Sequence, residues 1–167
     1  MPPVPCLYQV ISLGFQHALL KYARNVLNIQ DAEHEETAAN APTLLISELA
    51  CSLVGKTQVI KITPGSCAHQ AYGLREVTEQ FHCNYGLNPQ FREKVGRGQL
   101  KITGVDLDGE VRIVELRDHP FYVATLFLPQ ISSRPDRPHP LIVAYLRAAL
   151  AFHNSRRNDR AKMLSPT

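Results

Sequence analysis

Apolar and polar positions change period several times along the chain, and each change marks an element. Leu7 to Ile11 reads as a short buried strand. From Phe15 the apolar residues fall at Phe15, Leu19, Tyr22, Ala23, Val26 and Leu27, the spacing of a helix with one face inward and an end near Asn28. Residues 30–42 are polar and acidic and read as a solvated loop. Leu44 to Ile46 is a short strand, and Gln58 to Ile62 alternates until Pro64-Gly65 turns the chain. Ala68 to Tyr72 fits one helical turn, Thr78 to Tyr85 a strand, and Pro89 to Val95 a short helix with proline at its first position.

The clearest pair is Leu100–Asp106 with Glu110–Leu116, joined through Asp108-Gly109, a strong hairpin signal. Phe121 to Phe127 is a continuous apolar run, as in a strand buried on both faces. A proline-rich loop over 129–140 leads to a last helix over 141–152, with a basic, disordered tail over 151–167. Strands and helices interleave around an inserted hairpin, which predicts an α/β sheet domain over 1–150.

Composition narrows the class. The chain has 167 residues, 44% hydrophobic and 20% charged, with a net charge of +3. That suits one globular domain and is too weakly basic to argue for nucleic acid. No apolar run is long enough for a membrane helix, and the start lacks a signal-peptide pattern, so neither nucleic acid nor membrane is expected as a partner. Cys6, Cys51, Cys67 and Cys83 form no C-x-x-C pair, which argues against a zinc or thioredoxin-type site and for reduced thiols in the cytoplasm. A metal reading of the acids and His34 within 30–42 is weaker than that of a solvated loop, and no metal or cofactor is expected.

One stretch organises the rest. In Val10-Ile11-Ser12-Leu13-Gly14-Phe15-Gln16 a strand turns abruptly into a helix, which projects Ser12 from the sheet end as nucleophile elbows do. A plain strand-to-helix turn is the simpler alternative. Three stretches carry a resemblance: Ser12 to Gln16 with Tyr22 to Leu27; Tyr85 with Asn88 to Phe91; and His119-Pro120-Phe121 through Phe127-Leu128-Pro129-Gln130 to Pro138-His139-Pro140-Leu141. Together they resemble the C-terminal, class I glutamine amidotransferase region of CTP synthase, and short stand-alone proteins related to that region.

The resemblance implies a class I amidotransferase-type sheet with flanking helices. Family members hydrolyse glutamine with a Cys on the elbow and a His and Glu in an F-H-P-E loop. The thiolate attacks the amide, His moves the proton, and the carboxylate fixes the His tautomer. Here the Cys position is Ser12, the His position Leu128 and the Glu position Gln130. Leucine carries no proton and glutamine holds no imidazolium charge, so the usual triad is expected to fail. Asn84, beside Tyr85, stands where the family grips substrate with Arg, while Gln16 and Glu36 match residues that hold the amino-acid end of glutamine. Glutamine or a related amino acid is the implied ligand.

Eleven residues precede Ser12, where the family has further strands. The expectation is a domain shortened at its N-terminus, with an open sheet edge covered by a second copy or another protein. Three functional readings stay open. The chain is a binding or interaction module; or an enzyme of altered chemistry, with Ser12 served by His17 or His82, or with Cys83 as nucleophile; or a fragment without independent function. The separate nucleotide-binding half of CTP synthase has no counterpart, so CTP formation by this chain alone is not expected.

Overall fold

A computed structural model describes residues 7–164. The proline-bearing start with Cys6, and the last three residues, lie outside the described residues. The elements in order are β1 (Tyr8–Ile11), α1 (Leu13–Asn25), β2 (Ala32–His34), β3 (Thr43–Glu48), β4 (Thr57–Ile62), α2 (Cys67–Tyr72), β5 (Glu76–Gln80) and β6 (Tyr85–Leu87). A 3-10 turn (Pro89–Phe91) leads into α3 (Arg92–Gly96), followed by β7 (Leu100–Val105), β8 (Val111–Leu116), β9 (Tyr122–Thr125), α4 (Pro129–Ser132) and α5 (Pro140–Leu164). The expected α/β class holds.

Six strands form one sheet in the order β1-β9-β8-β7-β4-β5, and three form another in the order β2-β3-β6. β1 runs parallel to β9, with Ile11 opposite Thr125, whereas the other pairs of the large sheet are antiparallel. Helix α1 touches both sheets, against β1 and β9 on one side and β2, β3 and β6 on the other. Its buried residues are Phe15, Gln16, Leu19, Leu20, Tyr22 and Ala23. They recur every three to four positions, so one stripe serves both layers.

Several expectations need correction. The segment read as a solvated loop contains β2, in which Ala32 and His34 are buried and pair in parallel with β3. Three residues with no period of their own become a strand only because α1 and β3 flank them. The strand expected over 78–85 is two strands in two different sheets, broken at 81–84. Val26 keeps the helical spacing but follows the end of α1 and is 52% exposed. The expected proline loop begins with the single turn α4, which starts on a proline. The last helix does not stop at Phe152 but continues to Leu164, across the stretch read as disordered. Residues 151–157 of that extension are mostly exposed, so it adds little to the core. Among the described residues, no helix is long and apolar enough to cross a membrane.

Phe15 and Val26 share the same period but not the same surroundings. Phe15 is fully buried, and Phe15→Ala is expected to cost about 3–5 kcal/mol in urea unfolding. Val26→Ala is expected to change stability by less than about 0.5 kcal/mol.

Candidate active site

Ser12 stands between β1 and α1 with φ 48° and ψ −116°. A non-glycine residue reaches this region only when the surroundings hold it there, at a cost of roughly 1–3 kcal/mol. The holding is visible. Ile11 pairs with Thr125, and the Ser12 N–H donates to the Thr125 carbonyl at 2.8 Å, which continues the β1–β9 pairing through the turn. Two residues on, a Cβ on Gly14 would lie 2.7 Å from Val10 Cγ1, so the first turn of α1 folds back against β1 because glycine leaves room. The Ser12 hydroxyl makes no capping bond to the helix it precedes. The elbow read from the sequence is therefore present, with its side chain free of structural duty.

Ser12 lines a cavity of about 260 Å³ together with Leu13, Gln16, Glu36, Asn84 and Tyr85. Five of the seven residues singled out in the sequence thus meet at one place, from α1, β6 and the turns after β2 and before β6. Leu128 and Gln130 do not line it. The Leu128 N–H donates instead to the Gln80 carbonyl at 3.0 Å, at the end of β5, and Gln130 is exposed on α4.

Beneath the cavity lies a relay that the sequence did not reveal. His34 is 3% exposed, and its Nδ1 accepts the Glu36 N–H at 3.2 Å. The proton of the neutral ring is therefore on Nε2, which donates to Gln16 Oε1 at 3.0 Å. That orients the Gln16 amide so that its Nε2 donates to the Tyr85 carbonyl at 2.8 Å. One chain of hydrogen bonds, buried at its His34–Gln16 link, ties Glu36, Gln16 and Tyr85, three lining residues. The Gln16 amide is committed to this chain, so its part in the cavity is to shape the wall. The available signal was a histidine in an acidic stretch that turned out to be a strand.

The other candidate nucleophile and bases separate clearly. His82 and Cys83 both line the cavity, because 81–84 is not a strand and strand alternation does not apply. Cys83 lies where burial pushes its thiol up to about 11, against the opposing pull of Arg112. At neutral pH it is a thiol, not a thiolate, and a poor nucleophile. His17 is exposed on α1, with its ring 6.3 Å from that of His34, and does not line the cavity. Asn84 Oδ1 accepts the Ser52 hydroxyl at 2.6 Å and anchors the loop after β3 at the cavity's edge. Among the described residues, no group of three or more His, Cys, Asp or Glu is placed to hold a metal.

A strained elbow at the end of a parallel strand pair opens on a small cavity, and solved structures share the fold around it. The glutaminase domain of Trypanosoma brucei CTP synthase with bound acivicin superposes with a TM-score of 0.78 at 24% identity, over 89% of this chain and 60% of that one. A GMP synthase-type protein of Thermoplasma acidophilum gives 0.60 at 10% identity, over 90% and 61%. Sequence relatives show which region is homologous. CTP synthase of Carboxydothermus hydrogenoformans is 37% identical over 153 residues, covering 86% of this chain and 29% of that enzyme. The Archaeoglobus fulgidus enzyme is 36% identical over 152 residues, covering 85% and 29%. The chain is homologous to the C-terminal glutamine amidotransferase region of CTP synthase. It spans less than a third of the length of these relatives. No protein-family model matches it.

The relay makes a pH prediction. Burial lowers the His34 pKa, an effect that nearby His17 reinforces and Glu36 and Glu35 oppose. A base with a lowered folded-state pKa takes up its proton first in the unfolded chain. Stability is therefore complete above the unfolded value near 6.5 and falls as pH drops below it. Thermal melts between pH 7.5 and 5.5 should show this loss. His34→Gln should be less stable at pH 7.5 by about 1–3 kcal/mol, with a flatter pH profile.

Proposed function

We propose that this chain is an amidotransferase-type domain that binds glutamine, or a closely related amino acid, and does not hydrolyse it by the Cys-His-Glu route. The observation that carries the reading is the elbow. Ser12 keeps the strained backbone, Gly14 keeps the close approach, and Gln16, Glu36 and Tyr85 keep the wall. At the positions matched to the catalytic groups stand a hydroxyl, a hydrocarbon and a neutral amide. Ser12 needs a base to become a nucleophile. Leu128 supplies none, and Gln130 has no charge to hold an imidazolium. Glu36 offers a carboxylate for the ligand's ammonium group. In place of the family arginine, Asn84 offers only a neutral amide already engaged with Ser52, so modest affinity follows. The same reading includes an interaction role, since β1 ends the six-stranded sheet and a further strand from a second copy or another protein would extend it there.

A second reading has one observation in its favour. His82 lines the same cavity as Ser12, so a Ser-His amide hydrolase is its concrete form. Ammonia release from L-glutamine separates the two. The native chain should release none above background, and Ser12→Ala should not change that. Measurable release abolished by Ser12→Ala would establish the hydrolase reading instead. Ser12→Cys places a thiol in the cavity and should likewise release no ammonia, because Leu128 and Gln130 lie outside its lining and supply neither base nor carboxylate. Glutamine should protect the new thiol from alkylation.

A further inference from the structure

A second cavity, of about 410 Å³, lies between the loop after β3 and the turn joining β7 to β8. None of its lining residues also lines the Ser12 cavity. Arg112, on β8, belongs to its wall, and its side chain is 4% exposed. Its Nε and Nη2 both donate to Asp106 Oδ2, at 3.0 and 2.7 Å. Asp106 Oδ1 accepts the N–H groups of Asp108 and Glu110, at 3.1 and 2.9 Å, so this carboxylate has no capacity left. The guanidinium also stands over the Phe81 ring at 5.8 Å. Its third nitrogen, Nη1, is buried without a hydrogen-bond partner.

On β4, Gln58 lines the same cavity, and its Oε1 is likewise buried without a partner. An unmet charged donor and an unmet amide acceptor therefore share one wall. Burying such groups unpaired costs about 1–3 kcal/mol each, and native proteins seldom leave them so. Leu49 lies near the donor: a Cβ on Gly86 would meet Leu49 Cδ2 at 2.7 Å and Arg112 Nη1 at 3.6 Å. Leu49 is partly buried and itself lines the cavity, so its side chain has room to move on the cavity side.

We infer that this cavity binds an uncharged small molecule through an amide or lactam edge. The ligand's carbonyl oxygen takes the Arg112 Nη1–H, its N–H donates to Gln58 Oε1, and Leu49 swings aside to admit it. The lining selects against charge. Asp106 pairs with Arg112, and Glu48, Asp108 and Glu110 add further acidic side chains to the lining. A carboxylate or phosphate would meet these carboxylates, and a bare cation could not accept the Arg112 Nη1–H. The apolar part of the wall, Leu49, Leu53 and Leu87, suits the body of a flat, weakly polar molecule.

Nicotinamide and its carboxylate analogue nicotinate provide the test, titrated into the full chain and followed by amide NMR. Nicotinamide should bind saturably, with shifts centred on Leu49, Gln58 and Gly86 and none at Ser12. Nicotinate should bind at least about tenfold more weakly. Gln58→Leu should weaken nicotinamide about tenfold, the worth of one buried hydrogen bond, with circular dichroism confirming the fold. Leu49→Ala should strengthen it. Equal binding of nicotinate would overturn the inference. So would full affinity in a folded Gln58→Leu, absence of saturable shifts in both native chain and Leu49→Ala, or a nicotinamide-soaked crystal with only water joining Arg112 and Gln58.

Discussion

The backbone of Ser12 is the constraint on which the site depends. A serine at φ 48° is uphill, and the molecule holds it there from both sides. β1 is fixed in register on β9, while α1 is wedged between two sheets by Phe15, Leu19 and Ala23. The junction has no slack, because the helix begins one residue after Ser12 and Gly14 brings it against Val10. The strain is thus offset by core packing, and its product is a side chain projected into a cavity. That arrangement is what nucleophile chemistry requires, whether or not the chemistry survives.

The cavity wall depends on a different kind of interaction. The relay from Glu36 through His34 and Gln16 to Tyr85 is satisfied at each of these links and buried at its centre. A network of this sort joins β2, α1 and β6 more specifically than apolar packing, because each member tolerates one orientation only. It also ties the shape of the pocket to the protonation of one ring. The Arg112–Asp106 pair makes the opposite case. It too is buried, but it leaves one nitrogen over, and that remainder marks the second cavity.

What the sequence disclosed follows from how local each signal is. The hairpin around Asp108-Gly109 and the elbow at Ser12 are written in adjacent residues, and both stand as read. The gathering of Gln16, Glu36, Asn84 and Tyr85 around Ser12 came from family resemblance, since nothing in their spacing brings α1 near the turn before β6. β2 was hidden because its strand character comes from its neighbours. The break at 81–84 was hidden because Thr78 to Tyr85 carries no glycine or proline to mark a change of sheet. His34 was discounted as a loop residue for the same reason as β2. Arg112 looks like an ordinary outward residue of an alternating strand, yet the turn at Asp106 folds back to bury it.

The central claim is the proposal that the elbow and its relay build a pocket that binds an amino acid without hydrolysing it. Isothermal titration of the native chain with L-glutamine, with ammonia assayed in the same cell, tests it most directly. The account predicts saturable binding that weakens in Glu36→Gln, with no ammonia formed. Absence of any binding heat at saturating glutamine, in a chain shown to be folded by its near-ultraviolet circular dichroism, would contradict it.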